Sequence, residues 1–351
     1  MENDIIDKRE AKEFSKITFS GYKKSDTKKQ LKQSILNGRL EPANYWAAEM
    51  ICAGHFLDLW EIIILISNKF IHYGNPKLPI YLNMRIQSFK EILYNGYNDN
   101  IIQMRNNIKI RELFSEVISI LVFSNKKNSF DVNKIKKIDF DLTEIKYRLK
   151  ADKLSYGEKS FMKKDPKELL IAINELAYSL CSKNRNSSDA CYWIDWIIEF
   201  DKISKSKKEP LVCEKRAHAP VDSKFQNDVI WLIWDTLLNA QIDNIAGKII
   251  SNLHSIFCLH YMNSIKRKRR YILYFVVSLI CEKINYSIPL QDNKQIIDNI
   301  KSSINIIYKN IKKNEIKPKT DYLFNGLEKS NIDKTNEKLD KLTSIGFLPR
   351  I

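Results

Sequence analysis

Turn-forming residues are scarce in this chain: nine glycines and nine prolines in 351 residues, less than half the roughly 12% typical of globular proteins. Sandwiches, barrels and nucleotide-cradling loops draw on Gly or Pro for their tight turns. The backbone must therefore run in long helices. Hydrophobic residues make up 44% of the chain, enough for one or two packed cores at about 100–200 residues per domain and too many for global disorder.

Periodicity and stop signals predict where the helices fall. A polar helix is expected over 4–15, then one capped by Asp26 with Leu31 and Ile35 on its apolar face and Gly38 as its stop. Glu41-Pro42 opens a helix to Gly54, Pro being pre-organised for the first helical position. Others are expected over 55–72, 77–94, 98–105 and 107–124. The Lys- and Asp-rich stretch 125–165 reads as a mostly exposed connector. Beyond it, Asp165-Pro166 starts an amphipathic helix and Ser187-Ser188-Asp189 caps the next, while 202–223 reads as a second connector. Helices are then expected over 224–240, 241–262, 268–286 and 291–313, with a weakly patterned tail carrying one more helical pattern at 331–344. The domain reading is 1–124, a connector 125–165, 166–313, and a polar tail 314–351.

A short internal repeat cuts across this scheme. Residues 28–54 and 166–201 each join an amphipathic helix by a polar loop to a helix opening with a small residue, any residue, then Tyr-Trp: Ala43-Asn44-Tyr45-Trp46 and Ala190-Cys191-Tyr192-Trp193. A second Trp on an apolar helix follows each, Trp60 and Trp231. The expected fold is all-α, an irregular multi-helix bundle, with two related helical halves as one form of it.

Charge supplies the functional signal. Lys and Arg number 58 against 42 Asp and Glu, a net charge of +16, which suits a polyanion because clustered cations release the counterions of phosphate. Much of the Lys, accompanied by abundant Ile and Asn, also fits A+T-rich coding, so location matters more than the total. The densest block is Lys266, Arg267, Lys268, Arg269 and Arg270, between two apolar segments. Cations at a helix start oppose the macrodipole, so phosphate-backbone contact is the expectation for these five. Lys202, Lys205, Lys207 and Lys208 form a second, looser cluster.

Other chemistry finds less support. Six scattered cysteines without a CxxC read as reduced core residues. Cys52 with His55, and His254 with Cys258 and His260, each lack the second half that a structural zinc site needs, so no metal or other cofactor is expected. The phosphate-loop, dinucleotide, serine-hydrolase and zinc-protease signatures are missing, and no catalytic residue is assigned. Carboxylate pairs on helix faces, Asp58 with Glu61 and Asp195 with Glu199, keep a metal-dependent nuclease as a third reading. A charged N-terminus leads us to expect no signal peptide, and the apolar run 271–281 is half the length of a bilayer span.

The phrases SGYKKSD (20–26), ANYWAAEMICAGHFLDLWEII (43–63), HYGNPKLPIYL (72–82), ACYWIDWI (190–197), RAHAPVDSKFQNDVIWLIWD (216–235) and KRRYILYF (268–275) together resemble an uncharacterised helical protein family of nucleocytoplasmic large DNA viruses. The similarity spans about residues 18–285. It implies a viral protein in a cytoplasmic factory or virion and brings no mechanism with it; the basic block 266–270, read as a nuclear-import signal, keeps the nucleus as an alternative. Residues 45–76 are also similar to the helical C-terminal region of clamp-loader-related AAA+ ATPases. That local likeness implies an oligomerising, DNA-associated scaffold.

The expectation is therefore a non-enzymatic viral protein that binds nucleic acid, DNA before RNA and without sequence readout, and docks to viral proteins of the replication or transcription machinery. The rival expectation is a structural or assembly protein of the virion, a minor capsid or core component.

Overall fold

The computed structural model describes residues 4–97 and 100–316. Among them the architecture is all-α, with a single isolated β-bridge between Ile17 and Lys23. The first set of helices is α1 (Lys24–Leu36), α2 (Leu40–Cys52), α3 (Phe56–Ile66), α4 (Leu78–Tyr94) and α5 (Ile108–Phe123). Only short helical turns, among them α6 (Leu142–Ile145), interrupt the connector. The second set is α7 (Leu170–Leu180), α8 (Ser187–Ser206), α9 (Ile230–Leu238), α10 (Asn244–Cys258), α11 (Ile265–Lys268), α12 (Arg270–Cys281) and α13 (Lys294–Lys312). The pattern at 331–344 lies outside the described residues.

The two sets repeat one scheme of pairings. α1 packs on α2 as α7 does on α8; α2 meets α5 as α8 meets α12; α1 touches α3 as α7 touches α9; and α4 lies on α5 as α10 lies on α12. The Tyr-Trp pairs have nearly the same geometry, edge-on at 5.2 Å and 81° for Tyr45 and Trp46 and at 5.3 Å and 83° for Tyr192 and Trp193. The sets are not separate bodies, because α10 packs on α4 and α13 returns to cover α5 and α2. One continuous apolar cluster reaches from Ile5 to Ile311, so the connector divides the chain without dividing the core.

Several local expectations need correction. Residues 4–15 form turns, not a helix, because their polar groups are satisfied by distant partners: Ile5 N–H donates to Asn106 Oδ1 at 2.8 Å and Lys8 N–H to the Ile316 carbonyl at 3.1 Å. Asp26 lies inside the first turn of α1, where its charge complements the helix N-terminus without capping it. The helix expected at 98–105 is a 3₁₀ segment, Ile101–Asn106, and that expected at 224–240 is reduced to α9. α3 stops at Ile66 and passes into a π-type turn, where Ser67 Oγ and Asn68 Nδ2 donate to the Ile64 carbonyl at 3.0 and 2.8 Å.

The connector is bolted down by buried acceptors on the second set of helices. Asp195 on α8 accepts Asn133 N–H at 2.8 Å. Glu175 on α7 accepts the Lys150 and Ala151 N–H groups at 2.9 and 3.0 Å, and Asn174 those of Tyr156 and Gly157 at 3.0 and 3.2 Å. Its side chains are mostly exposed while its backbone is held.

Candidate nucleic-acid interface

Five consecutive cations cannot share one face of a helical segment, because successive side chains turn by about 100° while positions i, i+3 and i+4 align. The structure divides the block accordingly. Lys266, Arg269 and Arg270 are buried, and Arg267 and Lys268 are exposed.

Each buried member has an assigned anion. Lys266 Nζ lies 2.5 Å from Asp201 Oδ2 on α8 and 2.8 Å from Asp228 Oδ1 just before α9. Burial alone would lower the ammonium pKa, but the charges of Asp228 and Asp201 and the hydrogen bonds to them outweigh it and hold the pKa above its ordinary value. Arg269 pairs with Glu61 on α3 and donates to the Phe257 and Leu259 carbonyls at 2.8 and 2.6 Å, neutralising the C-terminal end of α10. Arg270 donates to Asp195 Oδ1 at 2.9 Å. These three are internal ties, and their expected place among the phosphate contacts is corrected to that extent.

Asp195, a candidate for metal chemistry, is likewise consumed. Its carboxylate accepts from Arg270, from Tyr274 Oη at 2.5 Å and from both Asn133 donors, with 2% of the residue exposed. Burial raises its pKa, opposed by the Tyr274 hydrogen bond and the Arg270 charge. Its neighbour Glu199 is tied to Lys202. Among the described residues no group of three or more His, Cys, Asp or Glu side chains could hold a metal ion. His254 and Cys258 do meet, at 3.8 Å, as a hydrogen-bonded pair on α10.

The second cluster does not lie in a connector, because α8 continues to Ser206 and carries Lys202 and Lys205 with it. Lys205 bonds Asp201 at 2.9 Å and stands 3.8 Å from Asp228, so it shares both carboxylates with Lys266. The fold thus brings the two clusters together around an acidic pair. Lys207 and Lys208 are exposed beyond the helix end.

Arg267 and Lys268 line a cleft of about 480 Å³ with Lys28 of α1, Asp58 and Glu61 of α3, and Tyr271 of α12. Among the described residues neither Arg267 nor Lys268 makes an ion pair. Lys24, Lys28 and Lys32 stand on one face of α1 at four-residue spacing. Lys24 Nζ is 3.0 Å from Asp58 Oδ2, and Lys28 also bonds that carboxylate. Burial would raise the pKa of Asp58, but hydrogen bonds from these two lysines hold it below the ordinary value, so it is ionised at neutral pH. Lys32 and Lys69 bracket the Phe70 ring at 5.9 and 5.3 Å, and Lys69 also lies 4.8 Å from the Tyr271 ring. A band of six cations therefore runs past the cleft. The four-residue spacing of Lys24, Lys28 and Lys32 is visible in the sequence, whereas the approach of Lys69 is a product of the π-type turn after α3.

No protein-family model, no curated protein and no solved structure matches this chain. No helix among the described residues is long and apolar enough to cross a membrane. What the fold and the cleft define is an all-α protein with a basic, two-sided surface cleft.

Proposed function

We propose that the chain binds nucleic acid through the phosphate backbone, DNA before RNA and without sequence readout, at the cleft between α1 and the start of α12. The observation that supports this most directly is the pairing of two exposed cations free of ion pairs, Arg267 and Lys268, with Lys28 of α1 across a single cleft. Phosphates entering there replace mobile counterions and meet cations already held apart by the fold. The carboxylates Asp58 and Glu61 are occupied by Lys24, Lys28 and Arg269, which limits their repulsion of a phosphate. The resemblance to proteins of large DNA viruses supplies the setting, a viral factory or virion and docking to replication or transcription proteins.

Anisotropy of a labelled duplex, titrated from low to moderate salt, tests the reading. Affinity should fall steeply with salt, and the double variant Arg267→Gln, Lys268→Gln should lower the slope of log K against log salt by about 2. Absence of binding at low salt by the intact chain overturns it. Recovery from virions at fixed stoichiometry, without nucleic-acid affinity, would replace it by the assembly reading.

A further inference from the structure

Next to the basic cleft, with Asp58 in the lining of both, lies a partly open apolar chamber of about 330 Å³ between α3, α4 and the loop after α10. Its size is at the small end of the ligand cavities found in proteins, about 300–1,000 Å³. Phe56, Trp60, Phe89 and Leu93 wall it, and the exposed side chains of Leu57 and Tyr94 form its lip.

Two polar features there have no partner within the described residues. Trp60 is 2% exposed, and its indole N–H is buried without an acceptor, although buried donors are nearly always satisfied. Lys90, next to Phe89 on whose ring Trp60 rests edge-on at 5.9 Å, is half-buried and makes no ion pair. The neighbouring groups that could answer them are committed elsewhere. Asp58 is held by Lys24 and Lys28, and His55 Nε2 is bonded to the Ile17 carbonyl at 2.9 Å.

At Lys90 and His260 the chamber adjoins a second cavity of about 410 Å³, more polar than the first. His260, exposed at their junction, holds φ +44°, in the left-handed region that His adopts more readily than most residues.

We propose that this chamber binds a small amphiphilic carboxylate. The apolar body would lie against Trp60, Phe89 and Leu93, and the acid group would accept from Lys90 at the rim. The unpaired ammonium sets the sign of the head group, and the aromatic walls set the tail. This site shares no cation with the proposed nucleic-acid surface, and its test is independent of that reading.

Calorimetric titration with octanoate, octanol and octyltrimethylammonium decides it, since the three share a tail and differ in head-group charge. Octanoate should bind saturably at one site per chain, at least tenfold tighter than either companion. Lys90→Gln, a change at a half-exposed helix position, should weaken octanoate about tenfold and leave octanol unchanged. Leu93→Trp, checked for an unchanged helical circular-dichroism spectrum, should abolish binding of both; should that variant fail to fold, Lys90→Gln alone carries the test. Equal affinity for the anionic and cationic probes, no saturable binding of octanoate, or indifference to Lys90→Gln would each overturn the proposal.

Discussion

Lys266 Nζ stands 2.5 Å from Asp201 Oδ2, with both side chains almost excluded from water. Asp228 completes the arrangement from the other side, so one ammonium on α11 holds a carboxylate of α8 and another just before α9. Replacing Lys266 by Met leaves that acidic pair facing only the half-exposed Lys205. Breaking a buried pair by removing one partner costs about 3–5 kcal/mol, and thermal or urea unfolding of Lys266→Met should show a loss of that order. A loss below 1 kcal/mol would mean that the residue is a surface cation after all.

On α3, Asp58 is the carboxylate nearest the lysine face of α1, and it opposes any phosphate that enters the cleft. Asp58→Asn should tighten nucleic-acid binding two- to fivefold, the scale of a half-exposed charge interaction of up to about 1 kcal/mol. Lys24→Gln with Lys28→Gln should weaken it and flatten the salt slope further. Anisotropy titrations on the three proteins provide the check, and tighter binding by the double lysine variant would contradict the assignment of this face.

Gly74 is required by a close approach and not by its backbone angles. A Cβ there would lie 2.4 Å from the Asn125 carbonyl oxygen, a backbone atom fixed at the start of the connector. Gly74→Ala should therefore destabilise the protein by about 1–3 kcal/mol, whereas Gly247→Ala, whose nearest contact would be Ile242 at 3.7 Å on the solvent side of α10, should stabilise α10 or leave it unchanged. Comparison of the two melting temperatures tests both.

Two histidines, His72 buried and His254 half-buried, make stability depend on pH. Burial pushes His72, packed against the Phe275 ring at 4.6 Å, down to about 3, and pushes His254, edge-on to Trp234 at 4.8 Å, down to about 4. The unfolded chain protonates both near their ordinary value of about 6.5, so between that pH and 4 the unfolded state binds more protons. Stability is then fully present above about pH 6.5 and falls on acidification, by at most ~1.4 kcal/mol per pH unit for each group. The carboxyl of Asp165, held below the ordinary range by Arg216 despite its burial, extends the loss below about pH 4. His72→Asn should flatten the dependence of melting temperature on pH between 6.5 and 4. An unchanged slope in that variant would count against it.

How far the sequence carries can be judged from particular elements. Gly38 stops α1 where local chemistry says it should, α2 starts at Leu40 and so takes Pro42 as its third residue and not its first, and the Tyr-Trp repeats mark two helices placed alike in their sets. The segment 4–15 misleads because a polar stretch without an apolar face takes its conformation from distant partners such as Asn106 and Ile316. The extent of α8 misleads for a related reason: Lys202 and Lys205 look like linker charges until Asp201 and Asp228 appear beside them.

By itself the sequence determined the helical class, since few Gly and Pro and a period of 3.6 act within a turn or two of each residue. It also determined that 266–270 is the densest block of cations. Only the tertiary structure decided what those charges do. Helical geometry turns Lys266, Arg269 and Arg270 inward, but the carboxylates that make burial tolerable come from Asp201, Glu61 and Asp195 on other helices and from Asp228 just before α9, and no local pattern records which segment will arrive opposite. The same packing left Arg267 and Lys268 facing α1 across a cleft, where a net charge spread over the whole chain becomes a surface with a definite place.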